Sequence, residues 1–585
     1  MPYCLSGWAR PEFSGPTALP GRPYIRGCRA DRSKGVGNAI ASRQMNCPLF
    51  AAAGLLFTAL WTTAAPKEIT FSQSATSVEA YDFVEVVIAV SSPDARNPFT
   101  DVAVRGSFGK AGSTERFPAD GFCDSADGST FRIRFMPRSP GDYTYSVTYD
   151  QDGAQKAHSG TFHSSGGHRR GPIRIDPQYP WHFIWEGTGE HYFFNGTTAF
   201  WLMGWKGERI IRFSLERLHR LKVNRARVLL AGRTNMAYGD PVMNTDQWSV
   251  FLSPWPAADA ADFSHPGFDY SRFRVEHWQR FERMLRFARE RDFIVSVILD
   301  ISDGRVHPGA GSDDERRYIR YAAARLSAFS NITWDLGDDL DSFRDEKWAH
   351  ETGTLLEGWD PYKHLATSHP VHTEHQDRAS EWFGFTSLQE WSRTQHALML
   401  ESRRLQTLTG RIIPQTNEEY GYEDHYPKWA PAPPGDSAEV LRRTAWDIAM
   451  AGAYGTAGET ARRGTNIWPD TGGGWVNGRG DDTMTMLAGY AHLVDFFTGF
   501  EWWKTNPHDE LASSGAYCMA ELGRTYAVYL PNGGKVTLKL EPGRYRAEWF
   551  SGFTGEIVPI GAADGPVWTS PDTPDRSDWA LLLRR

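Results

Sequence analysis

The chain has 585 residues, 40% hydrophobic and 23% charged, enough for several ordinary cores and roughly two to four domains. A net charge of −8, with no long basic run, excludes a nucleic-acid role built on phosphate neutralisation. The five cysteines, Cys4, Cys28, Cys47, Cys123 and Cys518, include no CxxC pair, which excludes a zinc ribbon and a dithiol redox motif.

Residues 48–61 form an apolar run too short for a membrane span. It leads into Thr62-Thr63-Ala64-Ala65-Pro66, a small-residue cleavage signature. Together they read as a secretory signal peptide, with Met45 as a second possible start and an uncleaved anchor as the alternative. The expected location is secreted or periplasmic, with no stable membrane span after cleavage. Residues 1–65 are therefore set apart from the fold. Cys123 and Cys518 remain in the mature chain and are expected to be unbridged.

From 66 to 165 short alternating runs such as 84–90, 131–135 and 143–147 are separated by turn signals. They predict an antiparallel β-sandwich. A Gly- and Arg-rich stretch then reads as a linker over 166–182.

Between 183 and 510 the rhythm changes to strands alternating with amphipathic helices. Strands are expected at 200–204, 226–230, 293–299, 332–337, 365–368, 383–388, 412–416 and 453–457. Helices are expected at 214–221, with Ser214 as its cap, and at 277–291, 314–329, 395–407 and 438–451. Eight parallel strands over such a span fit a central (β/α)8 TIM barrel within a multidomain α/β plus all-β chain. Several strands end in ionisable residues, which favours a barrel rim over a doubly wound sheet. From 511 to 585 strands and a Pro531-Asn532-Gly533-Gly534 turn predict a small C-terminal β-sandwich.

The chemistry concentrates at two strand ends. Ile332-Thr333-Trp334-Asp335-Leu336-Gly337-Asp338-Asp339 runs from a buried strand into adjacent acids, and Thr416-Asn417-Glu418-Glu419 does the same later. Cleaving a glycosidic bond takes one carboxyl to protonate the departing oxygen and another to meet the oxocarbenium-like carbon. Asp339 is expected as acid/base and Glu419 as nucleophile. Asp338 and Glu418 are expected to accept hydrogen bonds from sugar hydroxyls. A solvated acidic turn capping the next helix is the plain alternative for residues 335–341.

Trp334-Asp335-Leu336-Gly337-Asp338-Asp339 resembles the Trp-x-Leu-Gly-Asn-Glu signature of the large retaining (β/α)8 glycosidase clan, with Asp in place of both Asn and Glu. Glu419-Tyr420-Gly421-Tyr422-Glu423 resembles the Glu-Pro-x-Tyr-Glu segment of apiosidase-like glycosidases (glycoside hydrolase family 140), which also use an Asp as acid. The resemblance implies Glu419, rather than Glu418, as nucleophile. Residues 67–165 resemble the immunoglobulin-like domain of unknown function that precedes such barrels. Residues 529–555 resemble a domain labelled collagen-binding.

Further substrate-binding candidates are Arg227, which would lower the nucleophile's pKa, and Asp300, His369, Gln389, Tyr422, Trp205 and Trp468. Trp429 and Trp475 are expected in rim loops, where rings stack on sugars. Each ring has core packing as its alternative. His369, His372 and His375 are spaced by three, but without a His-Glu-x-x-His arrangement no metal and no cofactor is expected. Thr471-Gly472-Gly473-Gly474 lacks the Lys-Ser/Thr ending of a phosphate loop. The expected partner is a carbohydrate substrate. A non-catalytic carbohydrate- or matrix-binding protein on a barrel scaffold is the rival reading. The sugar, the linkage and the oligomeric state are not legible.

Overall fold

The computed structural model describes residues 67–232, 246–260, 262, 265–301, 307–423, 436–459, 474–480, 482 and 485–585. The expected signal peptide, Trp429, Trp468 and most of the 471–474 loop lie outside them.

The N-terminal region folds as two sheets. One joins Ile69–Gln73, Val84–Val90, Thr130–Phe135 and Phe122–Cys123. The other joins Ser77–Glu79, Ala154–Ser165, Gly141–Gln151, Val102–Lys110 and Phe117–Asp120. Alternate residues of both sheets meet in one core, including Val86, Ile88, Ile133, Phe108, Tyr145 and Val147, as a two-residue period requires. The stretch expected as a linker contributes a strand, Ile173–Ile175, paired with Phe183–Trp185. Ile173 is buried there, so its apolar side chain found a core despite polar neighbours.

The central sheet has seven parallel strands. Their order is Ala366–His369, Ile332–Asp338, Ile294–Ile298, Arg225–Leu229, Gly196–Thr198, Tyr454–Ala457 and Thr416–Asn417. The two end strands are linked through segment 383–388. Phe383 bridges to Ala366 and Leu388 to Asn417, both in parallel sense. Helices alternate with the strands at Glu208–Arg220, Val275–Arg289, Asp313–Leu326, Glu346–Trp359, Gln395–Leu408 and Ala438–Met450.

The first strand lies earlier than expected. Residues 202–204 form a 3-10 turn, and the strand is Gly196–Thr198. Small residues are needed there because a Cβ on Gly196 would come within 2.3 Å of Thr456 Oγ1 on the next strand. A run of glycine and threonine carries no apolar signature, whereas the aromatic residues above it do. Ser214 caps nothing; it is buried inside the Glu208–Arg220 helix. The Asp313–Leu326 helix is capped by Ser312, whose side chain accepts from Glu315 N–H, one of the orphan donors every helix start leaves.

The C-terminal region is a six-stranded sheet, Asn506–Pro507, Tyr517–Glu521, Thr525–Leu530, Trp579–Arg584, Arg544–Ser551 and Ile557–Asp564, plus a two-stranded ribbon. Tyr529 stacks on Trp446 of the Ala438–Met450 helix at 5.0 Å. Cys123 and Cys518 are both buried and unbonded.

A buried ion network ties the N-terminal sheets to the central helices. Arg134 donates to both oxygens of Glu282, at 2.8 and 2.9 Å, and to Glu85. Arg325 donates to Glu282 and, at 2.6 Å, to Asp124. Burial pushes the Glu282 carboxyl up, but the Arg134 and Arg325 guanidiniums outweigh it and hold it at about 2, against an ordinary 4.5. Replacing Glu282 by Leu leaves two buried cations with one carboxylate each, Glu85 for Arg134 and Asp124 for Arg325, and should cost about 3 kcal/mol. Because the folded pKa is depressed, Glu282 contributes fully above pH 4.5 and its contribution fades as pH falls toward 2. Denaturant unfolding at neutral and acid pH should therefore show a penalty for Glu282→Leu that shrinks on acidification.

Candidate active site

The site begins with two arginines on one strand. Arg225 and Arg227 lie two apart, so both project to the same face of the sheet. Neither is exposed to solvent at all. A buried guanidinium must be matched by carboxylates, and neighbouring strand ends supply them. Arg225 makes a two-pronged pair with Glu418, one contact at 3.0 Å, and lies over the rings of Phe194 and Phe385. Arg227 Nη2 donates to Asp335 at 3.1 Å and to Asp338 at 3.0 Å. Its Nη1 is 3.7 Å from Glu419 and its Nε 3.9 Å from Glu418.

Four acids thus share two cations, and burial works against ionising all of them. It lifts Asp335 to about 6 and raises Asp338 and Glu419 above their ordinary values, with Arg227 opposing the shift in each case. Glu419 is further held by Gln389, whose amide donates to Oε1 at 3.0 Å, and by the Tyr422 hydroxyl. The Tyr422 ring stacks on Trp475 at 4.3 Å. Gly458 makes room for this stack, since a Cβ there would stand 2.1 Å from the tyrosine ring.

His369 closes the cluster. Its Nδ1 meets Ser387 Oγ at 2.8 Å, and its Nε2 faces Glu419 at 3.5 Å and Asp338 at 4.0 Å. Burial, aided by Arg227, lowers its pKa to about 4, so the imidazole is neutral near pH 7. One ligating atom each from Asp338, His369 and Glu419 lies within 4.8 Å of the other two. Asp339 follows directly. It is half-buried, in a left-handed conformation with φ +52° and ψ 40°, and it opens the 3-10 turn Leu340–Ser342. Its charge reaches His369, which places it beside the cluster.

The structure brings Asp338, Glu419, Arg227, His369, Gln389 and Tyr422 together, with Asp339 at the edge. Two other expectations are corrected. Glu418 is fully enclosed, its oxygens taken by Arg225 with Thr456 and Ser387 hydroxyls nearby. It serves the floor and cannot meet a sugar hydroxyl. Trp205 is wholly buried and donates to Asn477 O at 2.9 Å, leaving no free ring face. Asp300 is buried against Arg344 at 3.5 Å and His307 at 3.7 Å, and its carbonyl accepts from Asp338 N–H at 3.1 Å, which sets it directly beside the cluster. Arg225, Asp335 and Ser387 were missed. Arg225 had a signal, its alternation with Arg227 along a strand. His372 and His375 do not join His369 but converge on Asp341.

The comparisons fit this geometry. A candidate glycoside hydrolase from Bacteroides vulgatus superposes with a TM-score of 0.72 at 19% identity, covering 87% of this chain and all of that one. A second glycoside hydrolase gives 0.53 at 16% identity over 71% of this chain and 97% of its own. A glycoside hydrolase family 5 structure from Bacteroides vulgatus gives 0.52 at 15% identity, covering 71% and 93%. At such identities the likeness is one of fold. No curated protein matches the sequence. Residues 214–459 match the family described as "Apiosidase-like, catalytic domain", and residues 77–150 match "Domain of unknown function (DUF5060)"; the first of these matches supports a glycosidase.

Removing the shared cation tests the electrostatic account. Arg227→Met should cost about 3–5 kcal/mol near neutral pH, because Asp335, Asp338 and Glu419 lose their partner. The loss should be smaller near pH 4–5, where proton uptake neutralises the stranded acids. Denaturant unfolding at the two pH values measures both.

Proposed function

We propose that this is an exported retaining glycosidase that cleaves O-glycosidic bonds of an oligo- or polysaccharide. In this reading the seven parallel strands and segment 383–388 form a closed (β/α)8 barrel, and the N-terminal sheets are an immunoglobulin-like β-sandwich. Glu419 is the nucleophile and Asp339 the acid/base. The observation that carries the reading is the setting of Glu419: one carboxyl, buried, held from three sides by Gln389, Tyr422 and Arg227, at a strand end beside a second acid.

Each group then has a task. Arg227 keeps Glu419 ionisable despite its burial. Gln389 and Tyr422 fix the carboxylate for attack, and preorganised donors of this kind need no rearrangement in the transition state. Asp338 accepts from a hydroxyl next to the reacting carbon. Gln389 Oε1 is buried without a hydrogen-bond partner, which suits a second substrate hydroxyl. Asp339, less buried than Glu419, protonates the leaving oxygen and then activates water. Carboxyls about 5–5.5 Å apart act with retention; a carboxylate oxygen of Asp338 lies within 4.8 Å of one of Glu419, a short spacing for that pair.

That same proximity, with the raised pKa of Asp338, favours one rival: Asp338 as the acid. Leaving-group dependence separates the two. Asp339→Asn should lose about 10²–10⁴-fold in rate on natural glycosides and far less on aryl glycosides with acidic leaving groups. If Asp338→Asn alone shows this pattern, the acid is Asp338. Glu419→Gln should remove turnover by about three orders of magnitude or more while the fold persists. Full activity in that variant, across a panel led by apiosides and plant and bacterial glycans, would defeat the proposal.

The pH profile gives a further check. Glu419 must be ionised to attack, and burial raises its pKa from 4.5. The acid limb of kcat/KM should therefore lie above pH 4.5, with activity falling as pH drops through it.

A further inference from the structure

Beyond the cleft, two residues past Asp339, a second constellation joins two loops. We infer that Asp341, His372 and His375 form a site for a zinc-class divalent cation. One ligating atom from each lies within 4.8 Å of the other two. Asp341 comes from the Leu340–Ser342 turn, and the histidines from the loop after the Ala366–His369 strand.

The contacts on a single oxygen carry the argument. Asp341 Oδ2 is 2.6 Å from His372 Nδ1, 2.9 Å from His375 Nδ1 and 3.1 Å from the His372 backbone N–H. Three donors on one carboxylate oxygen exceed its two lone pairs. Read as ligands instead, both Nδ1 atoms present lone pairs to an ion beside Oδ2, and binding would spread the three atoms to the wider spacing of a tetrahedral set. Two imidazoles and one carboxylate suit Zn²⁺, Co²⁺ or Ni²⁺ rather than the hard, all-oxygen preference of Ca²⁺ or Mg²⁺.

The surroundings match what metal ligands need. A ligating histidine gives its other ring N–H to a carboxylate, and His375 Nε2 lies 3.4 Å from Glu346 Oε1. A ligating carboxylate is itself held by donors, and Asp341 Oδ1 accepts from Val371 N–H at 2.6 Å. The side chain of His372 is about half exposed, so an ion has a route in and water can complete a tetrahedral set. An ion there pins the Leu340–Ser342 turn to the 371–375 loop.

The test is direct binding to the full chain after dialysis against a chelator, read by the visible absorption of Co²⁺ and by equilibrium dialysis with Zn²⁺. One ion per chain is expected. His372→Ala/His375→Ala should lower affinity by about 100-fold, and Glu346→Gln by about 10-fold. Glu419→Gln should bind as the parent does. No saturable binding, or equal binding by the double histidine variant, overturns the site. Loss of binding in Glu419→Gln moves the ion to the Asp338–His369–Glu419 cluster and equally overturns it. Because binding is read without turnover, this result stands apart from the catalytic assignment.

Discussion

One guanidinium organises the catalytic end of this molecule. Arg227 has no contact with water, so its charge is tolerable only among acids. It draws Asp335 and Asp338 from one strand and Glu418 and Glu419 from beyond another. Those strands lie on opposite sides of it in the sheet order, and the sharing pulls their ends toward a common point. Arg225 supports this arrangement. By making the closer, two-pronged pair with Glu418 it leaves Arg227 mainly to the other three acids.

The consequence is a deficit of positive charge that the protein does not fill. Four carboxylates and two guanidiniums cannot all be ionised without cost in a dry site, and Asp335 lifted to about 6 is one symptom. Such a cluster takes up a proton at higher pH than free carboxyls do. Coupled carboxyls also titrate as a group, so macroscopic pKa values would belong to the cluster.

Legibility in the sequence followed local chemistry. The Ile332–Asp338 strand could be read because β-branched and aromatic residues run straight into Gly337 and the acids. Most helices were found by periodicity, and the Tyr454–Ala457 strand by its place after the 438–451 helix. The Gly196–Thr198 strand was hidden because close contact with Thr456 demands small residues, and small residues carry no period. Trp205 was misjudged because a tryptophan near a strand end looks alike whether it faces a cleft or a core; only the path of residues 246–250 over it decides. Glu418 and Glu419 are chemically alike and adjacent. Their fates part because successive side chains of an extended segment point to different neighbours, one to Arg225 and the other to Gln389.

The network around Glu282 bears on what counts as the catalytic unit. Arg134 reaches from the N-terminal sheets, over the rings of Phe83, Phe122 and Phe329, to an acid on a barrel-side helix. A chain trimmed to its enzymatic half would expose this seam: aromatic faces laid open, Glu282 stripped of one of its two cations. The amino-terminal module is thus less an appendage than a wall of the central region, and the two are expected to unfold as one body.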